Sequence, residues 1–146
     1  MPFTKIVYQI IFSPKYRASV MIKKSRANLF QYMTGVIRNK NCHLYQINGV
    51  EDHLHILTHV HPSISLSSFI KDIKISSNAF IKEKGLFPDF TGWQDGYSAF
   101  TYSFNSVPTL IQYVQNQEEH HKKVTYVEEM KALFKEHGIE FDEKYL

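Results

Sequence analysis

Cysteine is nearly absent from this chain. Cys42 stands alone among 146 residues, so no internal disulfide is available and a reducing cytoplasm is the expected setting. Long apolar runs are missing as well. No stretch reaches the roughly 18 residues that a membrane span needs. The opening MPFTKIVYQIIFSPKYR has an apolar centre without a basic leader or a small-residue cleavage site, so it reads as a strand and not as a signal peptide. Internal repeats, low-complexity tracts and linkers are also lacking. One domain, 1–146, is expected, long enough to bury a core.

Hydrophobic residues make up 43% of the chain and charged residues 21%, the balance of a soluble globular protein. The net charge of +3 is small, but its distribution is uneven. Lys15, Arg17, Lys23, Lys24, Arg26, Arg38, Lys40, Lys71, Lys74, Lys82 and Lys84 spread through the first two thirds. Acid gathers at Glu118, Glu119 and from Glu128 onward. A basic body suits a polyanion, and equally a solvated surface.

Punctuation and periodicity divide the chain. Residues 4–13 are β-branched and aromatic, a strand. Residues 22–40 carry Ile22, Leu29, Met33, Val36 and Ile37 near a helical period. CHLYQINGVE is a second strand ending near Asn48-Gly49, and DHLHILTHV is a third, antiparallel to it. Ser65 is a candidate N-cap for a helix that Gly85 stops. After a loop, YSAFTYSF alternates as a fourth strand. Pro108 fits the first turn of a helix through VPTLIQYVQNQEEHHKK. Thr125-x-x-Glu128 reads as a capping box for a last helix ending at Gly138. The order β-α-β-β-α-β implies an α/β (α+β), ferredoxin-like or RRM-like antiparallel sheet with helices on one face, plus C-terminal helices. The first and fourth strands are expected at its edges.

Four of the eight histidines crowd into EDHLHILTHVH. Strand alternation puts His53, His55, Leu57, His59 and His61 on one face and Leu54, Ile56 and Val60 on the other. His53 and His55 then lie within about 7 Å, suitable for two neutral imidazoles on one divalent metal. A histidine pair on an open sheet face is the plain alternative. In the later helix Tyr113 and Gln117 are one turn apart and therefore neighbours. A phenol with a pKa of about 10 is a poor nucleophile unless a metal polarises its target. Packing of a boundary ring is the simpler use of such a tyrosine. His120 and His121 are further candidate ligands.

H-x-H at His53–His55, followed by Y-x-x-x-Q at Tyr113–Gln117, resembles the HUH single-tyrosine transposases of small bacterial insertion sequences, including the REP-associated tyrosine transposases. FSPKYR, INGVEDHLHIL, SLSSFIKDIKISS, GWQDGYSAFTYS, YVQNQEEHHKK and GIEFDEKYL are similar to that family in order and spacing, over nearly the whole chain. The resemblance implies a homodimer that cuts and rejoins single-stranded DNA with hairpins at element ends. It implies Tyr113 as nucleophile, forming a covalent 5′-phosphotyrosine, and His53, His55 and Gln117 as ligands of Mg²⁺ or Mn²⁺. No small-molecule cofactor and no membrane partner is implied. Lys15, Arg17, Lys74 and Trp93 are the candidate DNA contacts. Such uncharged ligands predict weak metal affinity without DNA phosphate. Thr58 and His59 depart from the family's aliphatic pattern and make the strand end more polar.

Two other classes compete. A non-catalytic RRM-like module would stack bases on Tyr8, Phe12, Tyr45 and Phe100. A small metallohydrolase would use the metal and need no tyrosine.

Overall fold

Four antiparallel strands organise the chain in a computed structural model that describes residues 2–146. They are β1 (Val7–Phe12), β2 (His43–Gly49), β3 (Leu54–His59) and β4 (Ser98–Tyr102), in the sheet order β2-β3-β1-β4. This is the ferredoxin-like order, reached through α1 (Lys23–Asn39) after β1 and α2 (Leu66–Lys84) after β3. The edges are β2 and β4. β1, expected at an edge, is interior, because it pairs with both β3 and β4.

One face of the sheet carries α1 and α2. Ile10, Phe12, Leu54, Ile56 and Val60 meet Leu29, Met33 and Ile37 of α1 and Phe69, Ile70 and Ile73 of α2. Each such side chain contributes about 1.5–3 kcal/mol when fully buried. The stops that bound α2 work locally. Ser65 Oγ accepts from Ser68 N at 3.1 Å, and Gly85 takes a left-handed φ of +61° that a Cβ would resist.

The other face is covered too. Val107, Leu110 and Val114 of α3 (Val107–Gln115) pack on Val7 and Leu57. Met130, Leu133 and Phe134 of α5 (Tyr126–Glu136) pack on Ile11 and Phe100. The single helix expected over VPTLIQYVQNQEEHHKK is broken at Asn116, and α4 (Gln117–His120) continues it. The capping box forms as expected. Thr125 Oγ1 accepts from Glu128 N, and Thr125 N donates to Glu128 Oε1, both at 3.2 Å. No helix among the described residues is long and apolar enough to cross a membrane.

Gly49 fixes the turn that delivers His53. A Cβ there would stand 2.6 Å from His53 O and 2.9 Å from Leu54 Cα, both backbone atoms. Gly49→Ala should therefore lower stability in urea unfolding by about 1–3 kcal/mol, the scale of overpacking. It should also displace His53. Unchanged stability would show that this close approach is not needed.

Candidate active site

His53 and His55 leave the sheet on the face beneath the C-terminal helices, and both are fully buried. The open face that alternation allowed does not exist here, because α3, α4 and α5 close over it. The outer nitrogen of each ring is held. His53 Nδ1 donates to Asp52 Oδ1 at 2.7 Å, and the carboxylate can only accept. His55 Nδ1 donates to Gln9 Oε1 at 2.8 Å, while Gln9 Nε2 donates to the Tyr102 hydroxyl at 2.8 Å. Gln9 faces Leu57 across the β1–β3 ladder, so its side chain reaches diagonally to His55. Both rings are thereby turned to present Nε2 inward, the arrangement that orients metal-binding imidazoles. Gln9→Ala and Asp52→Ala should each lower divalent-metal affinity by about 10–100-fold in a chelator competition. Wild-type affinity in both variants would remove this role.

What the two rings face was not expected. Glu129, from α5, is buried with its side chain 1% exposed. Its Oε1 lies 3.2 Å from His53 Nε2, 3.3 Å from His55 Nε2 and 3.0 Å from His121 Nε2. Its Oε2 accepts from the Tyr113 hydroxyl and, at 3.2 Å, from Gln117 Nε2. His120 Nε2 stands 3.3 Å from Oε2. Four of the expected residues, His53, His55, Tyr113 and Gln117, thus converge within one chain, around a carboxylate that no motif pointed to.

The electrostatics follow from that burial. Burial alone would raise the Glu129 carboxyl, but hydrogen bonds from His121 and His53 and the nearby His55 ring outweigh it and hold the group well below the usual carboxylate range. Burial and the Glu129 charge push the Tyr113 phenol far up. Burial lowers His55 to about 4. At His53 burial also favours the neutral ring, yet Asp52 and Glu129 prevail and its value is raised.

His55 therefore contributes stability that is complete above pH 6.5 and is lost as pH falls toward about 4. His53 has the opposite sign, but its contribution is already complete below 6.5. Metal-free protein should lose about 3 kcal/mol across that window through His55. Urea unfolding at several pH values reads this, and a flat profile would contradict it.

The residues fit a divalent cation. His55 Nε2 and Gln117 Oε1 are buried acceptors without a hydrogen-bond partner. A buried carboxylate among imidazoles needs a compensating positive charge. His59 and His61 take no part, since His59 Nδ1 meets the Ile6 backbone and His61 Nδ1 meets Ser63.

The candidate DNA contacts divide. Lys15 is exposed. Lys15, Lys71, Lys74, Lys82 and Trp93 line an open groove of about 610 Å³ beside α2. Within it the Lys74 ammonium donates to Gln94 O and Gly96 O at 2.9 and 2.6 Å. Trp93 is not at the surface as expected. It is 7% exposed, edge-on to Phe12 and Phe90, and its Nε1–H donates to Ser77 Oγ. Burial among aromatic rings and one hydroxyl partner satisfies both ends of an indole. Arg17 also turns inward, its guanidinium 4.6 Å from the Tyr126 ring centroid and its Nε 3.9 Å from Asp52.

Residues 2–117 match the family described as "Transposase IS200 like". Two curated relatives, the transposases for insertion sequence element IS200 of Salmonella typhimurium and of Salmonella typhi, are each 27% identical over 120 residues. Each match covers 79% of this chain and 78% of the relative. Among solved structures, a putative transposase from Deinococcus radiodurans superposes with a TM-score of 0.61 at 21% identity, covering 80% of this chain and 95% of that one. A REP-associated tyrosine transposase bound to a REP hairpin gives 0.58 at 14% identity, covering 83% and 74%. The matched stretch contains His53, His55, Tyr113 and Gln117 and ends before His121 and Glu129. By that match the chain belongs to the IS200-like transposases, DNA transposase enzymes of the HUH single-tyrosine family.

Proposed function

We propose that this transposase cleaves and rejoins single-stranded DNA at element ends through a covalent 5′-phosphotyrosine on Tyr113. One observation carries the reading: the Tyr113 hydroxyl and the inward nitrogens of His53 and His55 converge on a single carboxylate position. A tyrosine needed only for packing has no reason to meet two oriented imidazoles. His53 and His55, with the Gln117 amide oxygen, would hold Mg²⁺ or Mn²⁺. Such an ion would supply positive charge to the oxygens of the scissile phosphate.

The step balances on this chain's own groups. Tyr113 Oη forms a bond to phosphorus as the bond from phosphorus to the 3′ oxygen breaks. Glu129 Oε2, the present hydrogen-bond acceptor of the phenol, orients that hydroxyl, and the one proton that Tyr113 loses is the one the departing 3′ oxygen gains to become a hydroxyl. The reverse attack by a 3′-hydroxyl conserves the bond energy. The phosphate reaches the cluster from the surface groove of about 410 Å³ beside Asp52, His121 and Tyr126.

The substrate is single-stranded DNA with a hairpin, bound through the lysine groove beside α2. The structural neighbour bound to a REP hairpin supports that partner class. A homodimer in the cytoplasm is the working species, and β2 and β4 are the edges available for pairing. Light scattering that reports a monomer at full cleavage activity would remove the dimer. The RRM-like alternative is left with half of its platform, since Phe12 and Phe100 are 3% exposed while Tyr8 and Tyr45 are half-buried. A gel assay on a hairpin-bearing single strand separates the classes. A covalent protein–DNA adduct supports the transposase chemistry. Free product without adduct supports a hydrolase, and a mobility shift alone supports a binding module.

A further inference from the structure

The matched family stretch ends at Gln117, but the cluster does not. His121 follows α4 and Glu129 lies in α5, and both reach the His53–His55 pair from outside that stretch. One ligand atom from each of His53, His55, His121 and Glu129 lies within 4.8 Å of every other.

The spacing within this group is informative. His53 Nε2 and His121 Nε2 are 3.1 Å apart. Glu129 Oε1 is 3.2, 3.3 and 3.0 Å from the Nε2 atoms of His53, His55 and His121. A tetrahedral ion with bonds of 2.0–2.1 Å has ligand–ligand edges of about 3.3 Å. The four measured separations lie close to that edge. Two further facts point the same way. His55 Nε2 is fully buried and has no hydrogen-bond partner. Two imidazole nitrogens at 3.1 Å cannot both be acceptors facing each other without a proton or a cation beside them.

We propose that His121 and Glu129 complete a four-ligand site with His53 and His55 for a transition-metal ion of the zinc class, occupied before DNA arrives. The inference rests on the metal reading given above, keeps its histidine pair, and puts His121 and Glu129 in the ligand place given there to Gln117. Three imidazoles and a carboxylate favour Zn²⁺, Co²⁺ or Mn²⁺ over Mg²⁺, which prefers six oxygens. The carboxylate adds the negative charge that His53, His55 and Gln117 lack, so binding no longer waits for a DNA phosphate. Glu129 divides its oxygens between two tasks: Oε1 faces the ion and Oε2 holds the Tyr113 hydroxyl. Gln117 braces Oε2 through its amide nitrogen. Zinc-class ions accept a fifth ligand, which leaves room for phosphate.

The test uses the full chain without DNA. Co²⁺ serves as an optical probe, because a tetrahedral field gives intense visible absorption and an octahedral one gives weak absorption. Zn²⁺ affinity is measured by chelator competition. Wild-type protein should show the intense bands. Glu129→Gln, which keeps the shape, and His121→Ala, at a partly exposed position, should each bind at least ~10-fold more weakly and lose band intensity. Thermal melts of both variants check that they fold. Wild-type binding and bands in both would overturn the four-ligand site. If His53→Ala alone weakens binding, the His53–His55–Gln117 reading stands without the extension. If His53→Ala is also without effect, or wild-type protein binds neither ion with or without DNA, the metal reading itself falls.

Discussion

Tyr113→Phe should abolish the covalent protein–DNA adduct and lower strand cleavage by at least ~10³-fold, the scale of losing a nucleophile. The ring remains, and so does its contact with His55 at 5.9 Å between centroids. Hairpin affinity should therefore change little. The missing hydroxyl leaves Glu129 Oε2 with one donor fewer among its buried partners. A stability loss of about 1 kcal/mol follows, or roughly 2–4 °C in Tm. Tyr97, Tyr102 and Tyr126 are the rivals. Tyr97 is 43% exposed and lies at the lysine groove. The Tyr102 hydroxyl is taken by Gln9. Tyr126 packs edge-on to His53 at 5.0 Å but makes no hydrogen bond to Glu129 among the described residues. Phenylalanine at any of these three should leave the adduct in place, slowed at Tyr102 because the Gln9–His55 support is weakened. Loss of adduct in Tyr97→Phe or Tyr126→Phe, with Tyr113→Phe active, would move the nucleophile elsewhere.

His53→Ala gives the second large effect. It removes one inward nitrogen and strips both Asp52 and Glu129 of a partner. Metal-dependent cleavage should fall by at least ~10²-fold, beyond the usual cost of losing a supporting group around a metal. Hairpin binding should persist, since the lysine groove beside α2 does not include His53. Chelation of wild-type protein should give the same loss of cleavage, restored by added metal. Full cleavage by His53→Ala in Mg²⁺ would count against the assignment.

Much of this was legible because the relevant signals are local. Alternation in DHLHILTHV placed His53 and His55 on one face and Leu54 and Ile56 on the core face, as found. Ser65, Gly85 and the Thr125–Glu128 pair bound helices through their own backbone contacts. What failed depended on tertiary contacts. Asn116 carries no breaker signal of its own, yet the helix stops there and restarts as α4. Trp93 sits in a loop whose own residues do not say which way the ring turns, and Phe12 and Ser77, distant in sequence, together with nearby Phe90, take it inside. β1 looked like an edge because pairing partners are not written in a strand's own residues.

Glu129 was missed for a different reason, since a signal for it does exist. Tyr126, Met130, Leu133 and Phe134 form the inward stripe of α5, and Glu129 falls within it at helical spacing. An acid on an apolar stripe requires a buried partner. Its neighbour Glu128 accounts for the capping box, and that explanation concealed the second carboxylate. The capping box also sets the start of α5, and so the position from which Glu129 enters the site.

Peptide mapping of the trapped adduct tests the central claim most directly. The full chain is incubated with a hairpin-bearing single strand and divalent metal, the covalent product is denatured and digested, and the peptide carrying nucleotide is sequenced. The account predicts a 5′-linked nucleotide on the peptide containing YVQNQ, at Tyr113. Nucleotide on Tyr97, Tyr102 or Tyr126, or cleavage with no protein-linked nucleotide at all, would contradict it.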